Sequence, residues 1–176
     1  MPAARFRLAA GAALLLALAG CGYTPLYGTT PQGSVAQDLA SVDVSVIPDR
    51  AGQLLHNFLR DEINPMGRPA MPRYDLDIEL TESRDALAIR TDETATRYNL
   101  RQIARFQLRD LETGRIVLTG NSNAVVSYNV LQNDFANVVS ENDARERGAR
   151  EIAEDIRLRM AAYFNARRQK AAEQSG

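Results

Sequence analysis

The sequence predicts an α+β domain, a two-layer sandwich with about four strands in one sheet and two helices packed on one of its faces. Three observations predict it. Three segments between Tyr74 and Asn129 alternate apolar and polar residues at the two-residue period of a strand. One segment of helical period precedes them and a longer one follows. Each long strand has one apolar and one polar face, so helices should cover a single side of the sheet and leave the other side polar.

The elements follow in chain order. Residues 41–47 (SVDVSVI) alternate Val42, Val44 and Val46 against Asp43 and Ser45, a short strand ended by Pro48. Residues 51–63 place Leu55, Phe58, Leu59 and Glu62 or Ile63 at helical spacing, and Asn64-Pro65 stops that helix. The proline-rich stretch to Pro72 reads as a loop. Tyr74, Leu76, Ile78 and Leu80 alternate with Asp75, Asp77 and Glu79 in a strand expected to reach about Arg90. Residues 96–110 put Tyr98, Leu100, Ala104, Phe106 and Leu108 on one face and Arg97, Arg101, Arg105 and Arg109 on the other. A hairpin turn at residues 111–114 uses Gly114 for positive φ. Residues 115–129 form the last strand, with Ile116, Leu118, Ala124, Val126 and Tyr128 toward the core. A helix closes the domain over about 140–166, where Ala144, Gly148, Ile152, Ile156 and Met160 recur every three to four residues. Its outer side pairs Glu141 with Arg145, Glu146 with Arg150 and Asp155 with Arg159 in the favourable acid-first order. Residues 135–139 are either a separate turn or an early start of this helix, and residues 167–176 read as a polar tail.

Ahead of the domain, Arg5 and Arg7 precede an uncharged apolar run of 12 residues, Leu8 to Ala19. A membrane-spanning helix needs about 20, and a basic start with a short apolar core describes a secretory signal peptide. The exit Leu18-Ala19-Gly20-Cys21 resembles the lipobox of bacterial lipoproteins, and Cys21 is the only cysteine in the chain. That resemblance implies an S-diacylglycerol on Cys21, cleavage before it, and N-acylation of the new terminus. Gly22, where no Asp stands, resembles the outer-membrane sorting signal. The expected organisation is a signal peptide at 1–20, a lipidated N-terminus and tether at 21–40, the sandwich at 41–166 and the tail at 167–176. Within the tether, Tyr23, Leu26 and Tyr27 either pack on the domain or lie at the lipid headgroups.

Composition excludes more than it assigns. The net charge of −1 becomes −3 once Arg5 and Arg7 leave with the signal peptide, too mild to suggest nucleic acid. His56 is the only histidine and sits inside the first helix, so no histidine-based triad or metal cluster is available. There is no G-x-S-x-G and no glycine-rich phosphate loop. Asp75, Asp77 and Glu79 form a same-face ladder beside a strand of arginines, for which cross-strand ion pairing is the simpler account. No catalytic residue, metal site or cofactor is therefore expected. Arg97 to Arg109 covers roughly 40 Å of extended strand. Guanidinium groups bind phosphate bidentately, so this stripe is either a ligand surface or a solvated face neutralised by its acidic neighbour. The polar face of the last strand (Thr119, Asn121, Asn123, Ser127, Asn129) is uncharged, which suits a wet protein interface.

The opening CGYTPLYG resembles the CGF-x-PLYG start of the lipopolysaccharide-assembly (LptE-like) lipoprotein family of alphaproteobacterial type. IPDRAGQLLHNFLRDEINP, the loop before YDLDIEL, and ENDARERGAREIAEDIRLRMAAYF are similar to that family's helices and first long strand. The resemblance implies two helices against one face of a four-stranded sheet. It also implies an outer-membrane subunit, anchored on the periplasmic side, that plugs the large β-barrel (LptD-like) of the lipopolysaccharide translocon, assists its assembly and binds lipopolysaccharide. Arg97, Arg101, Arg105 and Arg109 are the candidate contacts from strand geometry. The alternatives are a lipid carrier and an accessory lipoprotein of the general barrel-assembly machinery. The lipobox makes one prediction. Cys21→Ala should move the protein from the outer-membrane fraction to the soluble periplasm; a variant that still sediments with outer membrane would exclude Cys21 as the anchor.

Overall fold

The computed structural model describes residues 34–89, 95–130 and 133–174. The signal segment, Cys21 and the Tyr23–Tyr27 stretch lie outside these residues. The elements are α1 (Val35–Ala40), β1 (Val42–Val44), α2 (Asp49–Ile63), β2 (Tyr74–Ile89), β3 (Ala95–Asp110), β4 (Ile116–Asn129) and α3 (Asp134–Gln174). They form the expected α+β sandwich. The sheet order is β1-β2-β3-β4, with β1 parallel to β2 and the other pairs antiparallel.

The helix count among the described residues is three, where two were expected. The added helix, α1, occupies the end of the stretch read as tether. A capping box starts it: the Gln37 N–H donates to Ser34 Oγ at 3.2 Å, and the Ser34 N–H donates to Gln37 Oε1 at 3.0 Å. Val35 and Leu39 from this one short helix are buried in the main core. Arg168 ties it to α3 by donating to Asp38 Oδ2 at 2.6 Å.

α2 buries Gly52, Leu55, Leu59 and Ile63 on one stripe, with Asp49 in its first turn and Arg60 in its last, both matched to the helix dipole. β1 is shorter than its pattern. Pairing with β2 ends at Val44–Leu76, and Val46, expected on the core face, is 85% exposed while Ile47 turns in. The reason lies in Gly52. A Cβ there would stand 2.7 Å from Ile47 Cγ2 and 2.9 Å from the Ile47 carbonyl oxygen, so the chain before α2 folds tightly over the helix and carries Ile47 with it.

β2 and β3 are the long amphipathic strands expected. Their inward faces (Tyr74, Leu76 and Ile78; Leu100, Ala104, Phe106 and Leu108) are buried. At β4 the register shifts between Leu108 and Arg109. This irregularity leaves Ile116 46% exposed, although the alternation placed it on the core face, and packs Val117 beside the core instead. At Gly120 the Phe106 ring fills the missing side chain, since a Cβ would lie 2.7 Å from Phe106 Cζ.

α3 begins at Asp134, so Phe135–Val139 are its early start, and it continues to Gln174 past the point where the apolar pattern fades. Its buried stripe is Ala144, Gly148, Ala149, Ile152, Ala153, Ile156, Met160, Ala161 and Phe164.

Two predictions follow from close contacts. Gly52→Ala should lower stability by about 1–3 kcal/mol, because the new methyl meets backbone as well as side chain; an unchanged urea midpoint would refute the tight passage over α2. At the β3–β4 turn, the Thr113 and Glu112 N–H groups both donate to Asp110 Oδ1 at 3.0 Å. The Thr113 bond foremost holds the Asp110 carboxyl below its ordinary pKa of 3.8. Its stabilisation is present above that value and is lost as pH falls through the lower folded value. Asp110→Asn keeps the acceptor and should flatten that part of the acid limb in a melting-temperature profile.

Candidate functional site

Among the described residues all helices lie on one side, and none of them covers the opposite face of β2–β3–β4. The two-residue period places every second side chain there, which sorts the face into three stripes. β2 contributes Asp75, Asp77, Glu79 and Asp85; β3 contributes Arg97, Arg101, Arg105 and Arg109; β4 contributes Thr119, Asn121, Asn123, Ser127 and Asn129. All four arginines are exposed.

Register decides how far the acids neutralise the arginines. Glu79 faces Arg105, and their side chains meet at 3.8 Å. Ser83 faces Arg101, so Arg101 reaches diagonally to Asp85 at 3.9 Å. Asp75 faces Arg109, yet Asp75 Oδ1 accepts from the Ser45 hydroxyl at 2.8 Å while Arg109 donates to the Gly114 carbonyl at 3.3 Å. The two ion pairs are long and solvent-exposed, a class worth about 0–1 kcal/mol. The expected ladder is therefore partly formed, and its guanidinium groups are not locked. On the β4 side Ser127 donates to Asn99 Oδ1 at 2.6 Å. A shallow depression of about 400 Å³ crosses all three strands between Asp77, Glu79, Arg105 and Asn121. Such a surface can present several guanidinium and amide donors to an acidic or polar partner at once.

His56 is half-buried on α2 and lines a cleft with Asp43, Arg60 and Asn64. Among the described residues, no group of three or more His, Cys, Asp or Glu is placed to hold a metal ion. Among them also, no helix is long and apolar enough to cross a membrane.

Beneath the sheet lies a polar cluster built partly from Glu141 and Arg145, which pair as expected but turn toward the sheet instead of the outer side of α3, because Arg145 also reaches Glu82 of β2. Gln102 is buried on the apolar face of β3, and its Nε2 donates to Glu82 Oε2 at 3.1 Å. Arg145 of α3 donates to Glu82 Oε1 at 2.9 Å, to Asn142 at 3.2 Å and to Glu141. Arg84 donates to Glu141 Oε2 at 3.2 Å and lies over the Tyr98 ring. Burial works against the charge on Arg145, but Glu82 and Glu141 more than offset it and raise its pKa. The cluster separates the main core from a smaller one of Leu100, Val126, Tyr128 and Ala144. Two residues signalled it: Gln102, in phase with apolar neighbours, and Gly148, where a Cβ would lie 2.3 Å from Gln102 Oε1. Arg145→Met should cost roughly 2 kcal/mol by removing the cation that two half-buried carboxylates share, leaving Glu82 to Gln102 and Glu141 to Arg84. Loss of less than a few tenths in denaturant titration would show that the cluster is solvated.

Comparison with known proteins places this architecture. Residues 39–160 match the family model described as LptE, lipopolysaccharide-assembly. An uncharacterized protein of Rickettsia prowazekii (strain Madrid E) is 26% identical over 128 residues, covering 73% of this chain and 80% of its own length. The crystal structure of a candidate lipoprotein from Caulobacter crescentus CB15 superposes with a TM-score of 0.65 at 27% identity, over 74% of this chain and 96% of that one. A minor lipoprotein from Acinetobacter baumannii shares the fold, with a TM-score of 0.56 at 19% identity over 69% of this chain and 90% of that one. With the family match running from α1 through most of α3, the chain belongs to the LptE family of lipopolysaccharide-assembly lipoproteins.

Proposed function

We propose that this protein is a non-enzymatic outer-membrane subunit of the lipopolysaccharide translocon. Cys21 carries its lipid anchor on the periplasmic side, and the sandwich plugs and stabilises a large LptD-like β-barrel. Family membership supports the assembly role. The observation that carries the reading is the bare, striped sheet face. A face this long, with neutral amides along β4 and loosely held guanidinium groups along β3, suits docking into a hydrated wall better than open solvent. Arg97, Arg101, Arg105 and Arg109 are the proposed contacts to lipid A phosphates, because guanidinium forks match phosphate geometry and these forks lose little when they leave their present partners. The filled core between sheet and helices is what a plug needs and gives no support to the lipid-carrier alternative.

Two experiments test this. Lipidated protein purified from mild-detergent outer membranes should bring down a large translocon barrel in equal amount; recovery with the general barrel-assembly machinery instead would replace the reading. Arg101→Glu with Arg105→Glu should weaken lipopolysaccharide binding by about tenfold or more, equivalent to roughly 1.4 kcal/mol. Unchanged binding would return the stripe to a solvated face.

A further inference from the structure

A second cationic feature lies away from the sheet face, where the described chain begins. Asp38 of α1, Arg73 and Tyr74 at the start of β2, and Phe164, Arg167 and Arg168 of α3 line a cleft of about 210 Å³. Its charges do not cancel. Arg168 and Asp38 neutralise each other at 2.6 Å, and Arg168 also donates to the Ser34 carbonyl at 3.1 Å. Arg73 meets Glu112 only at 3.8 Å, with the Glu112 side chain 76% exposed. Arg167 donates to the Tyr74 hydroxyl, and among the described residues no carboxylate lies within ion-pair distance of it. The nearby Asp110 has its Oδ1 committed to the turn N–H groups and acts on Arg167 and Arg73 only through space, without a direct ion pair. Both guanidinium groups lie against the Tyr74 ring, 5.6 Å from its centroid for Arg73 and 6.0 Å for Arg167.

We propose that this cleft binds a phosphate group, gripped by Arg73 and Arg167. The Tyr74 hydroxyl accepts from Arg167, which leaves its own proton to donate to a phosphate oxygen. Planar guanidinium donors match that ligand in a way an ammonium does not. The choice of an anion rests on the cleft alone. The source of the phosphate rests on the anchor proposed at Cys21. The 12 residues from Gly22 to Gly33 span at most about 40 Å when extended, so an anchored chain keeps the cleft within reach of the bilayer surface. A phospholipid headgroup is therefore the assigned source, and free phosphate is the competing one.

The test uses the mature chain with Cys21→Ala, so that an anchor cannot itself hold protein on vesicles and a failure of the anchor is read separately by cell fractionation. Co-sedimentation with phosphatidylglycerol vesicles is measured alongside calorimetric titration with inorganic phosphate. Arg73→Gln with Arg167→Gln should lower vesicle binding by about tenfold or more. Arg147→Gln with Arg150→Gln, an equal charge change on the exposed side of α3, should not. Arg167→Lys, which keeps the charge, should lose most of what the glutamine loses. Binding of inorganic phosphate without vesicle binding would overturn the lipid source. Equal binding of both ligands by wild type and the Arg73/Arg167 variant would overturn the cleft. If that double variant fails to melt cooperatively, Arg73→Gln alone, on a half-exposed side chain, gives the same readout.

Discussion

The close seating of α3 on the sheet is the contact on which the other elements depend. Forty-one residues of helix extend about 60 Å, and the 16 residues of β2 or β3 extend about 53 Å. One helix can therefore span the sheet along its length, provided its backbone comes near. Ala144, Gly148, Ala149 and Ala153 permit that approach, and Ile152, Ile156, Met160 and Phe164 fill the wider space toward α1 and α2. At Gly148 the fit is tightest, because Gln102 occupies the volume any side chain would need. Without this seam α2 would cover only the β1 side, and the inward faces of β3 and β4 would stand in water.

A helix layer on one side only forces the division of labour seen across the sheet. Most apolar residues of β2, β3 and β4 are spent on the core, and most residues between them face outward. The outward face is thus set by the same alternation that builds the core, and its three stripes differ because each strand carries its own polar type. Exposed pairs such as Arg105 with Glu79 hold their partners weakly, which keeps the arginines available. The half-buried pairs behave in the opposite way. Around Glu82 and Arg145 low exposure makes each charge need its neighbour, so that cluster fixes how the first part of α3 lies on β2 and β3.

The Arg168–Asp38 contact shows how the last turns of α3 become part of the domain. Their apolar stripe has faded, so nothing in their periodicity marks them as packed. Among the contacts that hold them are the Arg168–Asp38 pair at 2.6 Å, the Arg168 bond to the Ser34 carbonyl and the Arg167–Tyr74 hydrogen bond. Two remote segments, α1 and the start of β2, are thereby joined by the end of a helix. The phosphate-binding cleft exists only because of that junction.

The long strands were legible in the sequence because strict alternation leaves no other way to bury Tyr74, Leu76 and Ile78 while wetting Asp75, Asp77 and Glu79. The two longer helices were legible from their 3.6-residue stripes, and the stripe Arg97, Arg101, Arg105 and Arg109 had to share a face once β3 was a strand. The turn at Asp110–Gly114 was equally local. Other features had no local cause strong enough to read. α1 is only six residues long, and its Ser34–Gln37 box counts for little until Leu39 finds the core. Val46 and Ile47 exchange places because the chain must clear Gly52. Ile116 faces water because pairing with β3 slips at Leu108. Which arginine meets which acid depended on strand register, and the cleft at Tyr74 depended on contacts across 93 and 130 residues. Periodicity determines which side of an element is apolar; only packing decides what that side, or its polar opposite, will touch.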